Sequence, residues 1–190
     1  MADLNRRQFL RSSTSAALAF GATAAARGRA SGASPNDTIS IALIGTGGRS
    51  RSFFDPILTR KDTVITAVCD PDEQRVGTAA EQIQSATGKK PATFGDFRRV
   101  LDDKSIDVVF IATPHHWHCP IAVPAVIAGK DVYVEKPASH VFREGRLLVE
   151  AAKKHKRIVQ HGTQMRSSEV TAKAREILQS GLLGKVKMSK

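Results

Sequence analysis

Three short runs in this chain bring together residue types that do chemistry. The first is Gly45-Thr46-Gly47-Gly48-Arg49, directly after the apolar stretch Ile39-Ser-Ile-Ala-Leu-Ile44. Glycine at 45 permits a tight turn. Glycine at 47 has no Cβ, so a pyrophosphate can approach the backbone, and a helix starting there aims unpaired N–H groups and its positive dipole end at the phosphates. The third glycine position is Ser50, still small enough for the helix to pack on the strand. Asp70 closes the next apolar run, where an acidic side chain accepts from ribose hydroxyls. Strand, glycine turn, helical pattern and acid together predict a dinucleotide site.

The second run is Thr113-Pro114-His115-His116-Trp117-His118, and the third is Glu135-Lys136-Pro137. Three histidines in four residues raise a metal site. Neighbours on a helix do not face together, however, and no acidic or cysteine ligand lies close in sequence, so no metal is expected. The alternatives are packing at a helix start and, preferred here, a lining for a nicotinamide pocket, with Thr113, Pro114, His116 and His118 among the cofactor contacts. Lys136 beside Glu135 at a strand's carboxyl end points into the same crevice. A lysine there can hold a substrate hydroxyl and shuttle its proton, whereas the bland alternative is a surface salt bridge. Lys136 is the candidate catalytic residue, and Glu135 joins the cofactor contacts.

The elements that must position these runs alternate. Strands are predicted at 39–44, 63–69, a stub at 93–94, 106–112, 131–134 and 158–161, with helices at 48–60, 72–87, 95–102, 117–128, 140–156 and about 168–180. An extended piece follows from Lys185 to Lys190. Such alternation predicts an α/β fold with a doubly wound parallel sheet in strand order 3-2-1-4-5-6. The second run then sits at the topological switch point beside the first strand, where ligands bind in such folds. Cys69 and Cys119 are the two cysteines. Cys69 would end the second strand and Cys119 lie just after the fourth, and the ends of these strands flanking the first are roughly 10 Å apart at the usual strand spacing, too far for a disulfide. Two buried free thiols are expected.

The formal charge of +11 invites a nucleic-acid reading. Five arginines against Asp3 give the first 34 residues +4 of it, leaving +7 scattered over the rest. Aromatic content is 5%, with no stacking pattern, which argues against nucleic acid. Asn5-Arg6-Arg7-Gln8-Phe9-Leu10-Arg11 is a twin-arginine pattern, followed by a mild apolar stretch from Ala16 to Ala26 and a small-x-small site at Ala24-Ala25-Ala26. That stretch is too short to span a bilayer permanently. The sequence therefore predicts a twin-arginine signal and linker over 1–34, engagement of that export machinery and a periplasmic or otherwise exported protein. The alternative is a disordered basic tail. Because the route resembles one for folded proteins, the cofactor would be loaded before export, held tightly and regenerated in place.

With these residues in view, the chain resembles the N-terminal half of the glucose–fructose oxidoreductase / inositol dehydrogenase / MocA (Gfo/Idh/MocA) family. The resemblance rests on Gly45-Thr46-Gly47-Gly48-Arg49, Asp70, Ala112-Thr113-Pro114 with His116-Trp117-His118, Gly129-Lys130 and Glu135-Lys136-Pro137. Gln160-His161-Gly162-Thr163-Gln164 resembles the entry into that family's second domain. It implies a Rossmann NAD(P)-binding domain over 35–165 and the start of a C-terminal α/β domain, truncated, over 166–190. It also implies hydride transfer on a sugar, polyol or related carbohydrate, with Lys136 in proton handling, and a homo-oligomeric full-length form. His115 departs from the usual Asn or Asp. Asp70 favours NAD, with NADP as the alternative because Arg49 and Arg75 could offset its charge. A related glycosidase branch usually replaces the lysine of Glu-Lys-Pro, so Lys136 favours an oxidoreductase. A non-catalytic dinucleotide-binding remnant is the other alternative.

Overall fold

The computed structural model describes residues 38–185 and 187. Six strands form one sheet, β1 (Ile39–Ile44), β2 (Thr63–Cys69), β3 (Ala92–Phe94), β4 (Val108–Ile111), β5 (Asp131–Val134) and β6 (Val159–His161). Their order is β3-β2-β1-β4-β5-β6, as the alternation predicts, and every pairing is parallel. Alternate residues of β1 feed two cores. Ile41 and Leu43 join Phe53, Phe54, Ile57, Ala79 and Ile83 on one face. Ala42 and Ile44 join Val100, Ile121, Ala125 and Leu148 on the other. A central strand covered on both sides has no solvent face, which is why its sequence is almost continuously apolar.

The helices are α1 (Gly48–Arg51), α2 (Phe54–Leu58), α3 (Glu73–Thr87), α4 (Phe97–Asp102), α5 (His118–Ile127), α6 (Phe142–His155) and α7 (Glu169–Gln179). The single helix predicted over 48–60 is broken in two. Ser52 N–H and Phe53 N–H bond three residues back, to the Arg49 and Ser50 carbonyls, which tightens the chain into a turn. Pro56, lacking an N–H, cannot continue an α-helical ladder through that turn. The break lets adjacent Phe53 and Phe54 both reach the same core. Farther on, the Asp72 carboxylate caps α3 by accepting from Gln74 and Arg75 N–H, and Gly88 ends it at φ +73°. At α6 the Glu144 carboxylate accepts from His140 and Val141 N–H.

Lys130 is buried, and its ammonium donates to the Ile106 carbonyl at 2.7 Å and to that of Asp103. It ties the start of β5 to the loop entering β4, and burial pushes its pKa down. The expected helix near 168–180 is present as α7, but none of its residues is buried. The twin-arginine segment and nearly all of the linker lie outside the described residues, as do four of the six residues of the predicted extended piece from Lys185 onward. No helix among the described residues is long and apolar enough to cross a membrane.

Candidate functional site

The carboxyl ends of β1, β2, β4 and β5 converge on two cavities that share Ala112 and Thr113. The first, about 500 Å³, lies over the glycine turn. It is lined by Gly45, Gly47, Asp70, Arg75, Thr113, Pro114, His116 and Trp117, among others. The second, about 340 Å³, is lined by Arg49, His115, Glu135, Lys136 and Pro137, with His118 behind them.

The two turn glycines are glycine for different reasons. Gly45 has φ +86°, and a Cβ there would lie 2.7 Å from Thr113 N and 2.8 Å from the Ala112 carbonyl carbon, so β1 and β4 could not exit side by side. Gly47 has an ordinary φ of −70°. A Cβ on it would meet only an Arg75 nitrogen, at 3.8 Å. The space above Gly47 is cavity rather than protein. That is the arrangement a bound pyrophosphate needs, and the residues present fit a dinucleotide. An unpartnered polar atom agrees, since Thr113 Oγ1 is buried without a hydrogen-bond partner beside both cavities.

Asp70 is 7% exposed and organises the turn. Its Oδ2 accepts from Thr46 N–H at 2.8 Å and from the Thr46 hydroxyl at 3.2 Å, while Oδ1 accepts from Asp72 N–H at 3.0 Å. Thr46 thus holds the acid in place. Each oxygen of a carboxylate has two acceptor sites, so Asp70 retains capacity for a ribose hydroxyl. Gly48 opens α1 and is exposed.

At the second cavity Arg49 Nη2 donates to Glu135 Oε1 at 2.7 Å, and its guanidinium lies 5.2 Å from the centre of the Phe53 ring. With its amide oxygen turned toward Arg49, Gln164 also accepts from that guanidinium while its nitrogen donates to the Gly162 carbonyl at 3.1 Å. Burial alone would raise the Glu135 pKa. The hydrogen bonds from Arg49 and from Lys136 N–H outweigh it, and the carboxyl is held below its ordinary value. The Tyr133 pKa is pushed up by burial and by Glu135. Lys136 is exposed at the cavity mouth, and its ammonium makes no hydrogen bond among the described residues.

The histidine run separates. His116 is exposed and lines the first cavity, and His115 lines the second. His118 also lines the second cavity. Its side chain is turned inward, 1% exposed, with Nδ1 2.6 Å from the Pro137 carbonyl oxygen and Nε2 2.9 Å from that of Thr113. Neither nitrogen is left for a ligand. No group of three His, Cys, Asp or Glu among the described residues is arranged to hold a metal. Cys69 and Cys119 are free and buried, and burial pushes their thiols up to about 12 and about 11.

Sequence reading missed Tyr133, Gly162 and the role of Gln164. The signals were present. Tyr133 and Glu135 are two apart at a strand's end and share a face. A Cβ on Gly162 would lie 2.7 Å from the Tyr133 hydroxyl and 3.0 Å from Glu135 Oε1, so only glycine leaves room for that pair.

The chain is 35% identical over 172 residues to a glycosyl hydrolase family 109 protein from Shewanella sp. strain ANA-3, covering 80% of this chain and 38% of that protein. It is 32% identical over 158 residues to a glycosyl hydrolase family 109 protein from Saccharopolyspora erythraea, covering 80% and 34%. Among solved structures it is similar in fold to myo-inositol 2-dehydrogenase from Lactobacillus plantarum, with TM-score 0.70, 24% identity and coverage of 78% and 43%. It is likewise similar to scyllo-inositol dehydrogenase from Lactobacillus casei with bound NAD(H) and scyllo-inositol, with TM-score 0.68, 23% identity and coverage of 78% and 43%. The chain spans less than half the length of each of these proteins. Residues 39–163 match the family described as oxidoreductase family, NAD-binding Rossmann fold, and the chain belongs to this Gfo/Idh/MocA family.

Proposed function

We propose that this chain is the cofactor-binding part of an NAD-dependent oxidoreductase acting on a sugar, polyol or related carbohydrate. The observation that carries the reading is the pair of cavities meeting at Thr113, with unhindered Gly47 in one and Lys136 in the other. The first cavity takes the adenosine and pyrophosphate half, and the second takes the nicotinamide and the substrate carbon. Bound there, a nicotinamide supplies the hydride-accepting chemistry. The chain's residues do the rest. Gly47 and the N-terminus of α1 receive the pyrophosphate. Asp70 accepts from the ribose. Arg49 and Glu135, neutralising one another, wall the second cavity. Lys136 holds the substrate hydroxyl and takes up or passes on its proton.

NAD is favoured over NADP. Arg75 and Arg98, the arginines lining the first cavity, pair with Asp72 at 3.3 Å and Asp96 at 2.7 Å. Asp70 accepts only from neutral donors, so no paired cation offsets it. Export by the twin-arginine route with the cofactor already in place, and homo-oligomerisation, complete the proposal.

A second reading, hydrolysis of a glycoside with NAD used transiently, is favoured by the names of the relatives at 32–35% identity. Lys136 in Glu-Lys-Pro speaks for net oxidation. The test is a panel of free sugars, polyols and aryl glycosides with NAD. Accumulation of NADH with free substrates supports oxidoreduction, and glycoside cleavage without NADH overturns it in favour of the second reading. Lys136→Ala should lower turnover by at least about tenfold, near 1.4 kcal/mol of barrier, and leave NAD affinity unchanged. An equal loss of NAD affinity would show that Lys136 acts on the cofactor instead.

A further inference from the structure

Two consecutive residues at the start of α5 fasten two consecutive carbonyls of the loop that follows Lys136. His118 Nδ1 lies 2.6 Å from the Pro137 carbonyl oxygen, and the Cys119 thiol donates to the Ala138 carbonyl at 3.3 Å. The other His118 nitrogen reaches the Thr113 carbonyl at 2.9 Å. One imidazole therefore bridges the exits of β4 and β5, which carry Thr113 and Lys136 to the rim of the second cavity. With the ring 1% exposed, solvent cannot take the place of either partner.

We propose that His118, through its contacts to the Thr113 and Pro137 carbonyls, is a positioning residue that fixes the spacing between Thr113 and Lys136 across the second cavity. The inference rests on assigning that cavity to the nicotinamide and substrate end.

A comparison of NAD and ADP-ribose affinities on the whole chain tests this, since their difference reads the nicotinamide end alone. His118→Phe should leave ADP-ribose binding within about twofold and remove about tenfold of the gain shown by NAD. A gain preserved in His118→Phe overturns the positioning role while leaving the cavity assignment intact. No gain in the wild-type chain overturns the cavity assignment and with it the positioning role. Should His118→Phe fail to fold, His118→Gln, whose amide can still donate, carries the comparison. An intermediate gain supports the proposal, and a full one overturns it.

Discussion

Gly45 and Gly47 stand two residues apart and separate stability from binding. Gly45 combines a positive φ with contacts under 3 Å to the β4 exit. Gly45→Ala should therefore destabilise the fold by about 1–3 kcal/mol from the backbone conformation alone, with the clash added, and a denaturation midpoint reads it. Gly47→Val meets no such obstacle, so the chain should fold with a nearly unchanged midpoint and lose dinucleotide binding, because the side chain fills the pyrophosphate space. A Gly47→Val chain that still binds NAD normally would remove the pyrophosphate from that turn. Glu135 gives a pH signature. Its pKa is lowered in the folded state, so the unfolded chain binds more protons in the window between the two values. The stabilisation is complete above the unfolded value, about 4.3, and is lost as pH falls through the folded one. Glu135→Gln should flatten that part of the acid limb in stability measured against pH. An unchanged limb would mean that the ion pair with Arg49 contributes nothing net.

Among the elements, the strand exits rather than the helices define the site. β1, β2, β4 and β5 deliver the glycine turn, Asp70, Thr113 and Glu135–Lys136 to one end of the sheet, and local hydrogen bonds then fix each exit. Lys130 does the corresponding work at the opposite end. Lys130→Met keeps the apolar stem but leaves the Ile106 and Asp103 carbonyls without their donor. A buried group left unpaired costs about 1–3 kcal/mol, so the variant should melt earlier, with cofactor affinity unaltered below the transition. A loss of affinity without loss of stability would place Lys130 in the site. The broken helix over 48–60 belongs to this scale too. The apolar spacing fitted one helix, and only packing of both Phe53 and Phe54 into one core made the turn between them worthwhile.

For the molecule as a whole, the doubly wound sheet accounts for the binding crevice and for the two buried thiols. It leaves α7 and the side chains of Phe142, Val170 and Leu182 exposed. The export proposal belongs at this level. Replacing Arg6 and Arg7 by lysine should keep the protein in the cytoplasm, and fractionation with a size comparison reads the outcome. A processed form still appearing outside the inner membrane would show that the twin-arginine pair is not the signal.

Periodicity determined the doubly wound parallel class, and the glycine turn with Asp70 selected the strand order among the few right-handed windings. Local chemistry in the sequence likewise marked Gly45, Gly47, Asp70, Glu135 and Lys136, each at a strand end where a backbone turn or a crevice demands that residue type. What lay beyond the sequence was direction. His118 reads like its neighbours His115 and His116, but the first turn of α5 rotates it inward onto two carbonyls from different strands. Thr46 reads as a ligand contact and is bonded to Asp70 across 24 positions of sequence. Gly162 and Gln164 matter through Tyr133, Glu135 and Arg49, which meet them only once β5, β6 and the glycine turn are side by side. Residue type and spacing fix which groups reach a strand end. Which of them face the cavity and which hold the others in place depends on contacts between segments distant in the chain, and those exist only in the folded protein.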